Sequence, residues 1–187
     1  MLGSRWRPRL SHLGVRSSLH SWLTEPASLT ARCQASCSSF RVRLLRFAFA
    51  NSLADEGGRS QLVKVREVQL ECDGVPVIFA HTTLSTVAFS SSLQKQGGMQ
   101  RGRLSRWMAR LGSRSLGSLL FSHPGFVRGQ IEFCRLDARH PLFRRIEGLD
   151  PAVKYLWARR SRHQMGAQTA LVTEVFLPAI EHLQRRP

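Results

Sequence analysis

Lysine is scarce in this sequence: Lys64, Lys95 and Lys154 are the only ones, so arginine carries nearly all of the positive charge. Acids are scarce too, with 12 against 28 basic residues, a formal net charge of +16. No run approaches the roughly 18–20 apolar residues that a membrane-spanning helix needs. The four cysteines, Cys33, Cys37, Cys72 and Cys134, form no C-x-x-C pair, and no histidine stands at a ligand interval beside Cys33 or Cys37. That spacing speaks against a zinc site, and a chain of this size without a secretory signal gives no reason for a disulfide framework. The thiols read as free, in a reducing compartment. Also missing are a Gly-rich phosphate loop, H-E-x-x-H and G-x-S-x-G. Gly57-Gly58 and Gly97-Gly98 read as ordinary loop glycines. Any chemistry here must rest on positioning and a few charges.

What is present is enough for one domain. The chain has 187 residues, and its hydrophobic fraction of 42% is ordinary for a soluble globular protein. The positive excess favours an anionic partner, whether nucleic acid, a membrane surface or a small polycarboxylate; the plain alternative is compositional bias. Residues 1–20 hold Arg5, Arg7, Arg9 and Arg16, and no acid precedes Glu25. This is the composition of an organellar transit peptide, but a disordered basic tail is the simpler reading. The folded domain is expected over residues 21–187.

Along that domain the pattern predicts short helices over Ser17–Leu23 and Pro26–Ala35, then a strand over Phe40–Ala50 and a loop over Asn51–Ser60. Leu62–Cys72 reads as a strand, and Asp73-Gly74 is a strong hairpin signal before the returning strand Val75–Leu84. From Ser85 to Ser122 the period turns helical: Leu104, Trp107, Met108 and Leu111 recur at i, i+3, i+4, i+7. Phe126–Leu136 reads as another strand, Asp137–Asp150 as a polar connection, and Tyr155–Gln164 with Thr169–Leu177 as a final pair around Met165-Gly166. About six strands with short antiparallel connections and segregated helices predict an α+β fold with a single antiparallel sheet.

Three residues stand out against this frame. Glu174 is the one acid in Ala170–Pro178, and strand alternation puts it on the face of Ala170, Val172 and Phe176. An ionised carboxylate there is costly unless paired or hydrogen-bonded, so it is a candidate working group. Arg66 shares a face with Leu62, Val68 and Leu70; it is either a bidentate receptor for a carboxylate or a stem lying on the sheet with its head in water. His81 titrates near neutrality and would suit a proton donor, although a lone strand histidine is more often structural. The run Arg159-Arg160-Ser161-Arg162 reads as a solvated edge.

A set of segments in order over about residues 20 to 178 resembles the chorismate pyruvate-lyase family. They are Trp22-Leu23 with Ser28-Leu29-Thr30, Arg66-Glu67 leading to Cys72-Asp73-Gly74-Val75-Pro76, and Leu116-Gly117 with Leu120-Phe121. They continue with Arg128, Ile131-Glu132 and Arg135, then Trp157-Ala158-Arg159-Arg160-Ser161, and end with Leu171–Pro178. The T-E-hydrophobic-F-L-P ending and the W-x-R-R-S segment are specific when found together.

The resemblance implies one antiparallel sheet with helical flaps over an internal ligand site. It implies a cytoplasmic, monomeric bacterial enzyme that needs no cofactor or metal and converts chorismate to 4-hydroxybenzoate and pyruvate for ubiquinone biosynthesis. The family's carboxylate-binding arginine falls on Arg66 and its site glutamate on Glu174. Two apolar flap positions fall on Leu29 and Phe126. A second family arginine falls on His81, a departure that leaves the enolpyruvyl carboxylate without its usual receptor; Arg128 is a weak candidate to replace it.

Two rival readings differ in class. A related fold serves as the effector-binding domain of some bacterial regulators, so a non-catalytic sensor of aromatic carboxylates is the alternative. Such regulators carry a DNA-binding module of some 60 residues, and only about 20 precede the matched region here. An RNA-binding protein would interleave aromatics with its arginines; with Tyr155 the only tyrosine and the phenylalanines in strand-like runs, it is a poor third.

Overall fold

In a computed structural model of the chain, residues 6–10, 15–57, 60–86, 116, 125–165 and 168–183 are described. Apart from Leu116, the expected amphipathic helix around Trp107 lies outside them. The elements are α1 (Ser17–Leu23), α2 (Leu29–Ser36), β1 (Phe40–Asn51), α3 (Ala54–Gly57), β2 (Leu62–Cys72) and β3 (Val75–Thr86). They continue with β4 (Val127–Arg128), β5 (Glu132–Asp137), α4 (Pro141–Arg144), β6 (Tyr155–Met165), β7 (Gln168–Phe176) and a 3₁₀ turn over Pro178–His182.

All strand pairings are antiparallel, in one open seven-stranded sheet ordered β1-β2-β3-β7-β6, with β4 and β5 sharing the far edge of β6. The fold is α+β, as expected. The expected strand Phe126–Leu136 is two strands, because the chain leaves the ladder at Gly129. There its N–H donates to the Arg162 carbonyl at 2.7 Å, and a Cβ would stand 3.4 Å from that same oxygen.

The β2–β3 hairpin shows how local chemistry sets register. Asp73 and Gly74 both take positive φ, 51° and 81°, as a two-residue turn matched to strand twist requires. Cys72 then pairs with Val75 and Glu71 with Pro76, but a bulge shifts the register and Leu70 pairs with Ile78. Pro76 cannot donate to the ladder, and a bulge is where a strand tolerates it. One residue of slip reverses which face each later side chain of β3 occupies.

Helices α1 and α2 cover one face of the sheet, called here the front. Leu19, Trp22, Leu23, Leu29 and Cys33 pack there against Val42, Val68, Leu70, Ile78, Phe176 and Ile180. Helix α2 begins at Leu29, not at Pro26, because Ser28 caps it by accepting from the Ala31 N–H. Pro26 is left in an extended linker with its neighbours' carbonyls free to be claimed by side chains. On the back face, Phe79, Leu136, Leu142, Ile146, Leu156, Ala158 and Val175 form a second core. Within the stretch expected as a tail, Arg7 exchanges two backbone hydrogen bonds with Phe133 (2.9 and 2.8 Å), and the Trp6 indole donates to Asp55 at 2.7 Å. Among the described residues no helix is long and apolar enough to cross a membrane.

Candidate functional site

Strand pairing builds the site in rows. Arg66, Thr82, Val172 and Ser161 align across β2, β3, β7 and β6; the next row holds Val68, Ala80, Glu174 and Arg159. A third row holds Lys64, Leu84, Ala170 and His163, extended by Arg128 of β4 opposite His163. Rows on one face lie roughly 7 Å apart along a strand. Arg66 and Glu174 are therefore one row apart and two strands apart, on the same side.

That side is the wall of a cavity roofed by Ser28, Leu29 and Thr30 at the start of α2 and lined by Arg66, Arg128, Arg159, Ser161, His163 and Glu174, with apolar Val68, Leu70, Leu116 and Val172. It encloses about 50 Å³ of free space, room for a few water molecules.

The polar groups are tied to one another. Arg159, 1% exposed, donates from Nε to Glu174 Oε2 at 2.7 Å and from Nη1 to the carbonyls of Glu25 and Leu23 at 2.5 and 3.3 Å. Arg128 donates from Nη1 to the Pro26 carbonyl at 2.7 Å and from Nε to Ser161 Oγ at 3.1 Å. Two arginines on the sheet thus hold the α1–α2 linker down by its backbone. Ser161 Oγ lies 3.1 Å from His163 Nε2. Burial, then the charges of Arg128 and Arg159, depress the His163 pKa to about 4. The imidazole is neutral at pH 7, so Nε2 can accept the Ser161 hydroxyl proton while the serine oxygen accepts from Arg128.

Burial also lowers the pKa of Arg66, which is 3% exposed. For Arg128 burial does the same, reinforced by Arg159 and opposed by Glu174. Arginine nevertheless remains charged at neutral pH. With His163 neutral, the described residues of the lining bring three guanidinium groups and one carboxylate, Glu174. Among the described residues no group of His, Cys, Asp or Glu is arranged to hold a metal ion.

A model of the chorismate lyase family matches residues 4–185. The chain belongs to the chorismate lyase family. A probable chorismate pyruvate-lyase of Dechloromonas aromatica is 57% identical over 188 residues, covering 98% of this chain and 100% of that protein. Another of Nitrosomonas europaea is 38% identical over 184 residues, with 95% and 96% covered. Among solved structures, the effector domain of PhnF from Mycobacterium smegmatis aligns at TM-score 0.46 and 19% identity, over 81% of this chain and 89% of that one.

In this chorismate lyase family member the sequence-predicted positions divide. Arg66, Glu174 and Leu29 meet at the cavity. Phe126 does not line it, but packs against Leu84, Leu116 and Ala170 beside it. His81 is a correction: it faces the back of the sheet. An unbulged two-residue hairpin would pair His81 with Arg66; the bulge pairs Arg66 with Thr82 and His81 with Glu67 instead.

There His81, 1% exposed, has Nδ1 2.8 Å from Glu67 Oε1 and Nε2 3.1 Å from Glu56 Oε1, the latter off the line of a good hydrogen bond. Burial opposes its charge, but Glu56 and Glu67 outweigh that and raise its pKa above the ordinary value.

Sequence reasoning missed Arg159, Ser161 and His163, and read the run around them as a solvated edge. Arg159 and Ser161 are buried because β6 is an interior strand under the α1–α2 linker. The available signal was their alternation in one strand that pairs with the strand of Glu174.

Proposed function

We propose that this protein converts chorismate to 4-hydroxybenzoate and pyruvate without a cofactor, as the first step of ubiquinone biosynthesis, acting as a cytoplasmic monomer. The observation that carries the reading is the cavity in which Arg66, Arg128 and Arg159 converge with Glu174, since chorismate is a dianion. Guanidinium groups already stripped of water gain most from a bidentate carboxylate.

Arg66 receives the ring carboxylate. Arg128 and Arg159 receive the enolpyruvyl carboxylate, which supplies the basic partner that His81, on the other face, cannot. Glu174 stands beside ring carbon 4, where it either accepts the 4-hydroxyl hydrogen bond or takes the carbon-4 proton. As the C4–H bond breaks, its electron pair completes the aromatic ring and the C3–O bond breaks. The enolpyruvate so released takes a proton at its methylene carbon to become pyruvate. Aromatisation drives the reaction, so the protein has to hold the dianion in a reactive geometry, exclude water and move one proton.

The test is to mix purified protein with chorismate and follow both products, with Arg66→Ala and Glu174→Ala alongside. Equimolar 4-hydroxybenzoate and pyruvate, lost in both variants, is the expected result. Binding of chorismate without turnover would overturn the lyase reading in favour of a sensor.

A further inference from the structure

Three of the four cysteines converge beneath α2, and the Cys33 thiol feels the charge of Glu174. Cys37, just past the end of α2, has its sulfur 2.7 Å from that of Cys72, the last residue of β2. Both thiols point at one acceptor, the Cys33 carbonyl, at 3.1 and 3.6 Å. The backbone holds the two residues together independently of the thiols. Asp73 N–H donates to the Ser39 carbonyl at 2.8 Å, Ser39 N–H donates to Asp73 Oδ1 at 2.7 Å, and Phe40 pairs with Cys72 in the β1–β2 ladder. The sulfur separation is already within about 1 Å of the roughly 2.0 Å of a disulfide.

We propose that Cys37 and Cys72 are a disulfide-forming pair that clamps α2 to β2 when the protein meets a low-molecular-weight disulfide such as glutathione disulfide. The Cys37 thiolate attacks one sulfur of the reagent and expels the first small thiolate. The Cys72 thiolate then attacks the Cys37 sulfur and expels the second. Two protein thiols lose two electrons and two protons, and one reagent disulfide becomes two thiols. Cys37 is the point of entry because the exposed Ser38 and Ser39 follow it, whereas Cys33 is fully buried.

Burial raises the Cys33 thiol to about 12, and burial with its cysteine neighbours raises Cys72 as well. The closing attack by Cys72 is therefore slow while α2 is seated, and the opening of α2 sets its pace. Once formed, the bond joins two walls of the cavity, since α2 carries Leu29 and Thr30 and β2 carries Arg66 and Val68. The proposal needs no particular ligand.

The test equilibrates the full-length reduced protein in graded glutathione and glutathione disulfide, traps free thiols and maps tryptic peptides. Trypsin leaves Cys33 and Cys37 in one peptide and Cys72 in another, so Cys33→Ser is run in parallel to fix the junction. Expected are a monomeric Cys37–Cys72 cross-link in both proteins and a thermal midpoint raised on the order of 5 °C. Amide exchange in α2 should slow on the order of tenfold. Cys37→Ser and Cys72→Ser should each lose the midpoint shift, and Cys134→Ser should keep it; Cys37→Ala and Cys72→Ala stand in where a buried serine prevents folding. A persistent glutathione adduct on Cys37, a bond through Cys33, cross-linked dimers, or no bond at the most oxidising ratio would each overturn the proposal.

Discussion

The two faces of one sheet use buried charge in opposite ways. On the back, basic groups meet carboxylates: His81 lies between Glu67 and Glu56, Arg145 contacts Glu67, and Arg160 donates to Glu132 at 2.7 Å. On the front, Arg66, Arg128 and Arg159 share a cavity with one carboxylate, Glu174, among the described residues. Removing one partner of a paired buried charge is strongly destabilising, whereas a cluster of buried cations in a cavity is a functional-site candidate. The front is therefore expected to respond to substitution in activity, and the back in stability.

The largest effect should come from Arg66. Truncation to Ala removes the proposed carboxylate receptor, and kcat/KM for 4-hydroxybenzoate formation should fall about 10³-fold, while the urea midpoint should change less than in Glu67→Ala. A large stability loss with intact activity would erase the contrast between the faces.

Glu67→Ala is the mirror experiment. It strips His81 and Arg145 of a shared carboxylate in a buried setting, and should cost about 3 kcal/mol, read as a lower urea midpoint. Activity of the folded fraction should stay within about twofold. Loss of turnover in fully folded protein would mean that the back face takes part in the chemistry.

Glu174→Gln sharpens the front half of the comparison. It keeps the shape and removes the charge, and should lower kcat about 10²-fold. A change under about threefold would count against both roles assigned to Glu174.

How much of this was legible in the sequence follows from the same geometry. Arg66 and Glu174 were visible because each breaks the apolar alternation of a strand, and alternation survives without knowledge of neighbours. Arg159 was not, because whether an arginine in β6 meets water or an arched linker depends on pairing between segments more than 130 residues apart; its contact with the Glu25 carbonyl is of that kind. His81 was misplaced for a sharper reason. The Asp73-Gly74 turn specifies the register at the hairpin's mouth, but the bulge beside Pro76 changes it further along, and a slip of one residue changes the face. The break at Gly129 escaped notice because glycine in an apolar run signals a bulge or a close approach, and only the partner strand decides which.

The smallest effect, and the most direct readout of the contrast, is the pH dependence of stability. His163 on the front has its pKa depressed to about 4 from an ordinary 6.5, by burial and then by Arg128 and Arg159. The unfolded chain therefore takes up a proton near pH 6.5 while the folded one refuses it until about pH 4. Stability falls as pH drops through that window, by about 2 kcal/mol at pH 5.

His81 on the back works in the other direction. Its pKa is raised by Glu56 and Glu67 against the opposing effect of burial, so its contribution is fully present below pH 6.5 and is lost as pH rises through the folded value. Glu67, lowered by His81 and Arg145 against its own burial, contributes above pH 4.5 and loses that contribution as pH falls through its folded value. The two histidines thus act on opposite sides of pH 6.5. Measured by urea midpoints from pH 4 to 8, His163→Gln should flatten the slope between pH 6.5 and 4.5 and leave the alkaline side alone. His81→Gln should flatten the alkaline side and, by removing one cause of Glu67's lowered pKa, lessen the loss below pH 4.5. An unchanged acid slope in His163→Gln would mean that the front cavity does not repel protons, and the arginine charge on which the substrate assignment rests would have to be neutralised by some other group.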